Sequence, residues 1–264
     1  MKRMRIDLAL VDREFFSSRE RARTAILAGD VKVGDVPVLK ASELVGPDAL
    51  ITVAEKRRFV SRGGDKLAGA LDCFAVPVAG RRAVDVGAST GGFTDCLLRA
   101  GACSVVALDV GYGQLAWSLR SDERVTVLER TNIRHVDPVE LGAPFDLVVV
   151  DVSFISLRTV LPYLEALMGE EADLLALVKP QFEVGKGRVG KRGVVKDAAD
   201  HLEVLEGAVG AASTAGLVVS GLTYSPIKGP EGNIEFWMWL SRVGEPALET
   251  PREIVDAAHR QLGG

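Results

Sequence analysis

The sequence predicts an α/β protein: a small N-terminal α/β module, then a doubly wound domain on a mostly parallel seven-stranded sheet with helices on both faces. Three observations predict it. From residue 83 onward, short and nearly continuous apolar runs alternate with amphipathic stretches, as in strands buried on both faces by helices. A glycine-rich turn, Asp85-Val86-Gly87-Ala88-Ser89-Thr90-Gly91-Gly92-Phe93, joins the first of these strands to a helix. Charge is also unevenly divided. Residues 1–62 hold 13 lysines and arginines against 9 acids, a net of +4; residues 63–264 hold 19 against 27, a net of −8.

With 264 residues, 47% hydrophobic and 26% charged, the chain is neither disordered nor fibrous and can bury a sizeable core. A net charge of −4 excludes a uniformly basic nucleic-acid binder. Cys73, Cys96 and Cys103 show no CxxC pair and no zinc spacing, so they read as reduced thiols of a cytoplasmic protein without a metal. His135, His201 and His259 are scattered. Lys2, Arg3 and Arg5 are not followed by the apolar core of a signal peptide. Residues 207–227 carry no charge, but Ser213, Thr214, Ser220, Pro226 and four glycines break the run, and no membrane span is expected. Nothing points to a dimer, so a monomer is the expectation.

In chain order, Ile6, Leu8, Leu10 and Val11 predict a first helix. Ser17 and Ser18 are N-cap residues for a second over 19–28, closed by Gly29. Val31, Val33, Val36 and Val38 flank a Gly34-Asp35 hairpin turn, and a third strand follows over 49–53. Arg19, Arg21 and Arg23 gather near the start of the second helix, where Arg3, Arg5 and Lys40 can join them to bind RNA phosphates. Residues 1–55 thus read as an RNA-binding module. Residues 56–64 read as a basic linker carrying Arg57, Arg58 and Arg62, 65–243 as the larger domain, and 244–264 as a tail with a helix. Within the larger domain, strands are expected at 83–86, 105–110, 125–128, 147–150 and 174–178, with helices at 93–100, 157–168 and 201–215. Strands at 217–222 and 234–240 follow each other without a helix, so one sheet edge should be antiparallel.

The glycine turn is not the dinucleotide GxGxxG, because Ala88-Ser89 breaks that spacing. It resembles the nucleotide loop of S-adenosylmethionine (SAM) methyltransferases. There Gly87, Gly91 and Gly92 let backbone approach the cofactor, Ala88, Ser89 and Phe93 complete the turn, and Asp85 favours a cation over a pyrophosphate. Asp109 ends the next strand, where a carboxylate can accept from ribose hydroxyls. Asn132 follows the 125–128 strand, near an adenine in such folds. Asp151 and Lys179 each directly follow a buried strand and so emerge at the carboxyl edge, where open α/β sheets bind ligands. Asp151 therefore counts among both the cofactor and the catalytic residues. Glu235 lies within an apolar run, an unfavourable place for a carboxylate unless paired, and Lys66 opens a helix after Gly63-Gly64. A ribose 2′-hydroxyl is a weak acid and needs a base. A lysine serves only if burial or a neighbouring cation eases its deprotonation. Lys179 as base, Lys66 as cation, and Asp151 and Glu235 as orienting acids make such a cluster.

Two resemblances follow. Arg5-Ile6-Asp7, Leu10-Val11, Ser18-Arg19, Ala22, Ile26, Gly29-Asp30-Val31, Val33, Lys40 and Ser42 resemble the S4 RNA-binding module. Gly64-Asp65-Lys66-Leu67, Asp85 through Asp95, Asp109 through Arg120, Asp151 through Leu157, Val178 through Gly185, and Gly232-Asn233-Ile234-Glu235 resemble the TlyA (hemolysin A-like) family. Its catalytic domain is similar to the FtsJ/RrmJ ribose 2′-O-methyltransferases, and the resemblance implies a Rossmann-like, SAM-dependent enzyme with a Lys66-Asp151-Lys179-Glu235 tetrad. It further implies cytidine methylation of ribosomal RNA in the small (30S) subunit and, in some members, the large (50S) one, with an effect on capreomycin and viomycin sensitivity. Phe59 stands where some members carry tryptophan. The polar segment 181–192, with Lys186 and Arg188, is expected to be a mobile loop closing over RNA. The rival readings are a non-catalytic ribosome-assembly factor, a lysin, and an NAD-dependent dehydrogenase.

Overall fold

The computed structural model describes residues 3–27, 29–53, 58–185, 187–190 and 193–263. The chain divides into two units, residues 1–57 and 58–264.

The first unit holds β1 (Met4–Arg5), α1 (Ile6–Asp12), α2 (Arg19–Leu27), β2 (Val31–Val33), β3 (Val36–Pro37), β4 (Leu44–Val45) and β5 (Ile51–Val53). β1 pairs with β4, and β3, β2 and β5 form a second antiparallel sheet. Gly34 adopts a left-handed φ of 60°, which the tight turn between β2 and β3 requires. Ile6, Leu10, Ala22, Ile26, Val31 and Ile51 form one small core. Arg13 donates to the carbonyls of Gly46, Pro47 and Ala49 and so pins the segment before β5.

The second unit holds α3 (Arg62–Phe74), β6 (Arg82–Val86), α4 (Gly92–Arg99), β7 (Ser104–Leu108), α5 (Trp117–Arg120), β8 (Val125–Leu128), α6 (Pro138–Leu141), β9 (Phe145–Val150) and α7 (Leu157–Glu165). β10 (Met168–Val178), α8 (Pro180–Glu183), α9 (Ala198–Thr214), β11 (Val218–Tyr224), β12 (Phe236–Ser241) and α10 (Pro251–Leu262) complete it. The sheet order is β11-β12-β10-β9-β6-β7-β8. Strands β8, β7, β6, β9 and β10 run parallel, and β12 runs antiparallel to both β10 and β11. Period-two alternation builds two cores. Val148 and Val150 of β9 face the layer of α7, α9 and α10, while Leu147 and Val149 face that of α3 and α4. Chain order reverses between β6 and β9, opening a crevice at their carboxyl ends.

The structure moves several expected boundaries. β10 starts at Met168, which pairs with Phe145, so α7 stops at Glu165 instead of running to 168. β12 starts at Phe236, leaving Glu235 just outside the strand. The stretch read as a linker straddles the division. Lys56 and Arg57 lie outside the described residues, whereas 58–64 pack into the second unit: Phe59 is buried, and the Val60 N–H donates to Asp95. The 244–264 segment is packed too, since α10 buries Ile254, Val255 and Ala258. A Thr250–Glu253 capping box starts that helix. Among the described residues no helix is long and apolar enough to cross a membrane.

Candidate active site

The loops after β6, β7, β8 and β9 enclose a cavity of about 650 Å³ at the crevice. Asp85, fully buried at the end of β6, accepts from the Thr94 N–H at 2.9 Å and the Thr94 hydroxyl at 2.7 Å. That fixes the first turn of α4 beneath the glycine loop. Burial, with Asp151 and Asp109 nearby, pushes the Asp85 pKa up to about 7 against the lowering effect of Thr94. Gly87 sits at φ 91°, and a Cβ there would stand 2.5 Å from the Asp151 carbonyl oxygen. Only glycine lets the β6 and β9 loops come this close. Asp109 accepts from the Ser89 N–H at 2.7 Å and the Gly111 N–H at 2.6 Å. Of the cofactor residues expected from sequence, Gly87, Ser89, Asp109, Asn132 and Asp151 line the cavity. Asp85, Ala88, Gly91, Gly92 and Phe93 do not; the Phe93 ring is buried against Trp237 at 5.5 Å. Asn132 also accepts from the Arg134 N–H at 3.1 Å.

The four tetrad positions form two lysine–carboxylate pairs. Lys66, in the second turn of α3, donates to Glu235 Oε2 at 2.5 Å, with both side chains almost wholly buried. Lys179, directly after β10, pairs with Asp151 directly after β9 and donates to Ser153 Oγ at 3.0 Å. The pairs are close enough to act on each other. Burial raises the Glu235 pKa, Lys66 opposes that, and the charges of Asp151 and Lys179 also bear on it. Gly229 makes room for the acid, since a Cβ there would meet Glu235 Oε1 at 2.6 Å. The arrangement can hold a lysine amine in a fixed orientation against a carboxylate, where it can take a proton from a substrate hydroxyl.

The expected RNA-binding residues fall in several places. Arg5 and Arg19 both pair with the buried Asp7. Burial alone would raise the Asp7 pKa, but these two arginines outweigh it and hold the carboxyl low. Arg21 donates to Ser17 Oγ, and Arg3, Arg23 and Lys40 are exposed. In the second unit, Arg58 lies over the Phe59 ring and Arg62 donates to the Lys228 carbonyl. Arg188 is held by Asp200 and Glu203 of α9. Arg57 and Lys186 lie outside the described residues. The described part of 181–192 is not simple loop, because α8 occupies its start. Among the described residues no cluster could hold a metal ion.

Sequence reasoning gave no role to Ser153, Phe154 or Glu183. Phe154 is 92% exposed at the cavity rim, sits at φ 63°, and packs on Phe182 with ring centroids 5.1 Å apart. A non-glycine residue held left-handed was the one signal available, and it shows only in the structure.

Comparison with known proteins agrees with this geometry. The S4 domain matches residues 4–51, and the FtsJ-like methyltransferase matches residues 59–242. The 16S/23S rRNA (cytidine-2′-O)-methyltransferase TlyA of Mycobacterium tuberculosis is 48% identical over 99% of this chain and 98% of its own length. Hemolysin A of Brachyspira hyodysenteriae is 38% identical over 88% of this chain and 98% of its own. A solved hemolysin-like structure from Streptococcus thermophilus, 38% identical, superposes with a TM-score of 0.76 over 100% of this chain and 98% of that one. The chain therefore belongs to the FtsJ-like methyltransferase family and, with its S4 domain, to the TlyA/hemolysin A branch of relatives.

Proposed function

We propose that the protein uses SAM to methylate the 2′-hydroxyl of cytidine ribose in ribosomal RNA, with the small subunit as its substrate and the large subunit as a second candidate. The observation that carries this is the pair of interacting lysine–carboxylate pairs beside an acid-lined cavity at the carboxyl edge. The residues present fit SAM. Asp109 uses part of its acceptor capacity on two backbone N–H groups and keeps the rest for ribose hydroxyls. Asp85 Oδ1 is buried with no hydrogen-bond partner among the described residues. Asp109 and Asp151, which line the cavity, favour a cationic ligand over a pyrophosphate. When bound, SAM supplies an electrophilic methyl group on a sulfonium sulfur.

Lys179 is the base that takes the 2′-proton, and Asp151 and Ser153 hold its Nζ in place. Lys66, paired with Glu235, supplies the second lysine–carboxylate pair of the cluster. Much of the rate comes from holding the hydroxyl in line, which a rigid site does well. Phe154 offers an exposed ring at the rim on which a base turned out of its stack can rest. The basic residues of the first unit hold structured rRNA by shape and phosphates.

Methyl transfer from labelled SAM to separated ribosomal subunits lacking the modification tests the reading. Label is expected on a ribose 2′-oxygen with the wild type. It should vanish with Lys179→Ala and with Lys179→Arg, whose guanidinium stays protonated, while SAM binding persists. Label on neither subunit, or full transfer by Lys179→Arg, overturns it.

A further inference from the structure

We infer that Glu183 is a positioning residue for methyl transfer: its carboxylate locks the loop after β9, which carries Asp151 and Ser153, to the turn after β10, which carries Lys179. The inference rests on Lys179 being the base.

Four contacts join these two segments. Lys179 pairs with Asp151, Lys179 Nζ donates to Ser153 Oγ, and Phe154 packs on Phe182. The fourth is Glu183, the last residue of α8. Its Oε1 accepts from the Leu157 N–H at 2.6 Å and its Oε2 from the Ser156 hydroxyl at 2.6 Å, with Arg158 Nε 3.6 Å away. The Glu183 side chain is 2% exposed. A carboxylate is costly to bury unless its lone pairs are met. Here all three partners belong to one short stretch, residues 156–158, at the start of α7. An N–H at a helix start carries partial positive charge, which suits an anion. The carboxylate thus acts as a clasp between two segments 26 residues apart in sequence.

The clasp controls what lies between. The Asp151 N–H donates to the Val86 carbonyl, which anchors one end of the 151–156 loop to β6. Glu183 anchors the other end at Ser156. With both ends fixed, the short span holds Ser153 against Lys179 and keeps Phe154 in its left-handed conformation. On the facing side, Pro180 begins α8 directly after Lys179, so the same carboxylate fixes the short helix that follows the base. Releasing Glu183 frees both sides of the Lys179–Asp151 pair, whereas the Asp109 side of the cavity has its own hydrogen bonds to Ser89 and Gly111.

The test uses the full-length protein with Glu183→Ala, Glu183→Gln and Ser156→Ala. It measures kcat and KM for the rRNA substrate, SAM affinity by calorimetry, and thermal stability. A displacement of about 1 Å at a reacting group costs about 10²-fold in rate. Glu183→Ala should therefore lower kcat by about 10²-fold, with KM for RNA and SAM affinity within about threefold of wild type. Gln keeps an acceptor for the Leu157 N–H and can donate to the Ser156 hydroxyl, so Glu183→Gln should recover at least about tenfold of the loss. A folded Glu183→Ala with wild-type kcat, or a loss that Gln does not rescue, overturns the inference. If Glu183→Ala does not fold, Ser156→Ala decides: it removes one arm of the clasp, and an unchanged kcat overturns the proposal. Methyl transfer by the wild type is the control that separates the two failures. Its absence defeats the functional reading itself, whereas its presence with unaffected Glu183 variants defeats only the role of Glu183.

Discussion

Lys66 and Glu235 share a hydrogen bond where water scarcely reaches, so each is tolerable only because of the other. Removing one partner of such a pair costs about 3–5 kcal/mol, because a charge is left buried alone. Lys66→Met should lower unfolding free energy by about that amount in urea titration. The double variant Lys66→Met/Glu235→Leu should regain most of the stability and none of the activity. Asp85 makes a pH prediction. Its folded pKa of about 7 lies above the ordinary 3.8, so the folded state binds more protons between those values. Its contribution is full below pH 3.8 and is lost as pH rises through 7. Asp85→Asn, which keeps an acceptor for Thr94, should therefore gain stability relative to wild type as pH rises from about 4 to 8, by an amount on the order of 2–4 kcal/mol. A pH-independent difference would show that the carboxyl titrates normally.

At the scale of elements, α9 and α10 meet through His201 Nδ1 and His259 Nε2, 2.8 Å apart, with the His201 ring edge-on to Phe236. Burial first, then His259, pushes the His201 pKa down to about 4, against the raising influence of Val195, Asp200 and Asp197. The unfolded chain then binds the extra proton between pH 4 and 6.5, so stability rises with pH over that window. The share due to His201 is at most about 3 kcal/mol, and His201→Gln should flatten that part of the curve in a pH series of thermal melts. Elements were also where the sequence read most clearly. Apolar runs such as Val148-Val149-Val150 allow little besides a buried strand, and a charged residue straight after such a run must emerge at the sheet edge, which located Asp151 and Lys179. Less was legible where no periodicity operates. Glu183, Ser153 and Phe154 matter through contacts between loops that sequence spacing does not encode. The start of β10 at Met168 depends on pairing with Phe145, a long-range event. Arg19 and Arg188 read as free cations because nothing in their own segments announced Asp7, Asp200 or Glu203 as partners, and Arg5 did so because spacing alone does not show that Asp7, two residues on, turns back to meet it.

For the molecule as a whole, the charge division follows the two units, a basic first unit and an acidic second. Binding to RNA through the first unit should release counterions. Arg21→Glu with Arg23→Glu should weaken rRNA binding and reduce the slope of log affinity against log salt by about 0.7–0.9 for each phosphate that is no longer neutralised. SAM affinity should stay unchanged, and a salt slope equal to wild type would remove these residues from the interface. Charge reversal of Lys186 and Arg188 should likewise lower RNA affinity alone, although for Arg188 breaking its pairing with Asp200 and Glu203 also releases its own segment from α9.

The direction of β12 has a consequence for how this chain could be rewired. The strand spans six residues, about 20 Å end to end. Because it enters the sheet from the side where its parallel neighbours leave, the residue before its first position meets Lys66. Threaded the opposite way in the same slot, β12 would keep its alternation and could still fill both cores with Trp237, Met238 and Leu240. Its leading carboxylate would then stand a full strand length from the amine it serves. A permuted or redesigned chain that inverted this one strand could fold as a sound sheet and still be an inert protein.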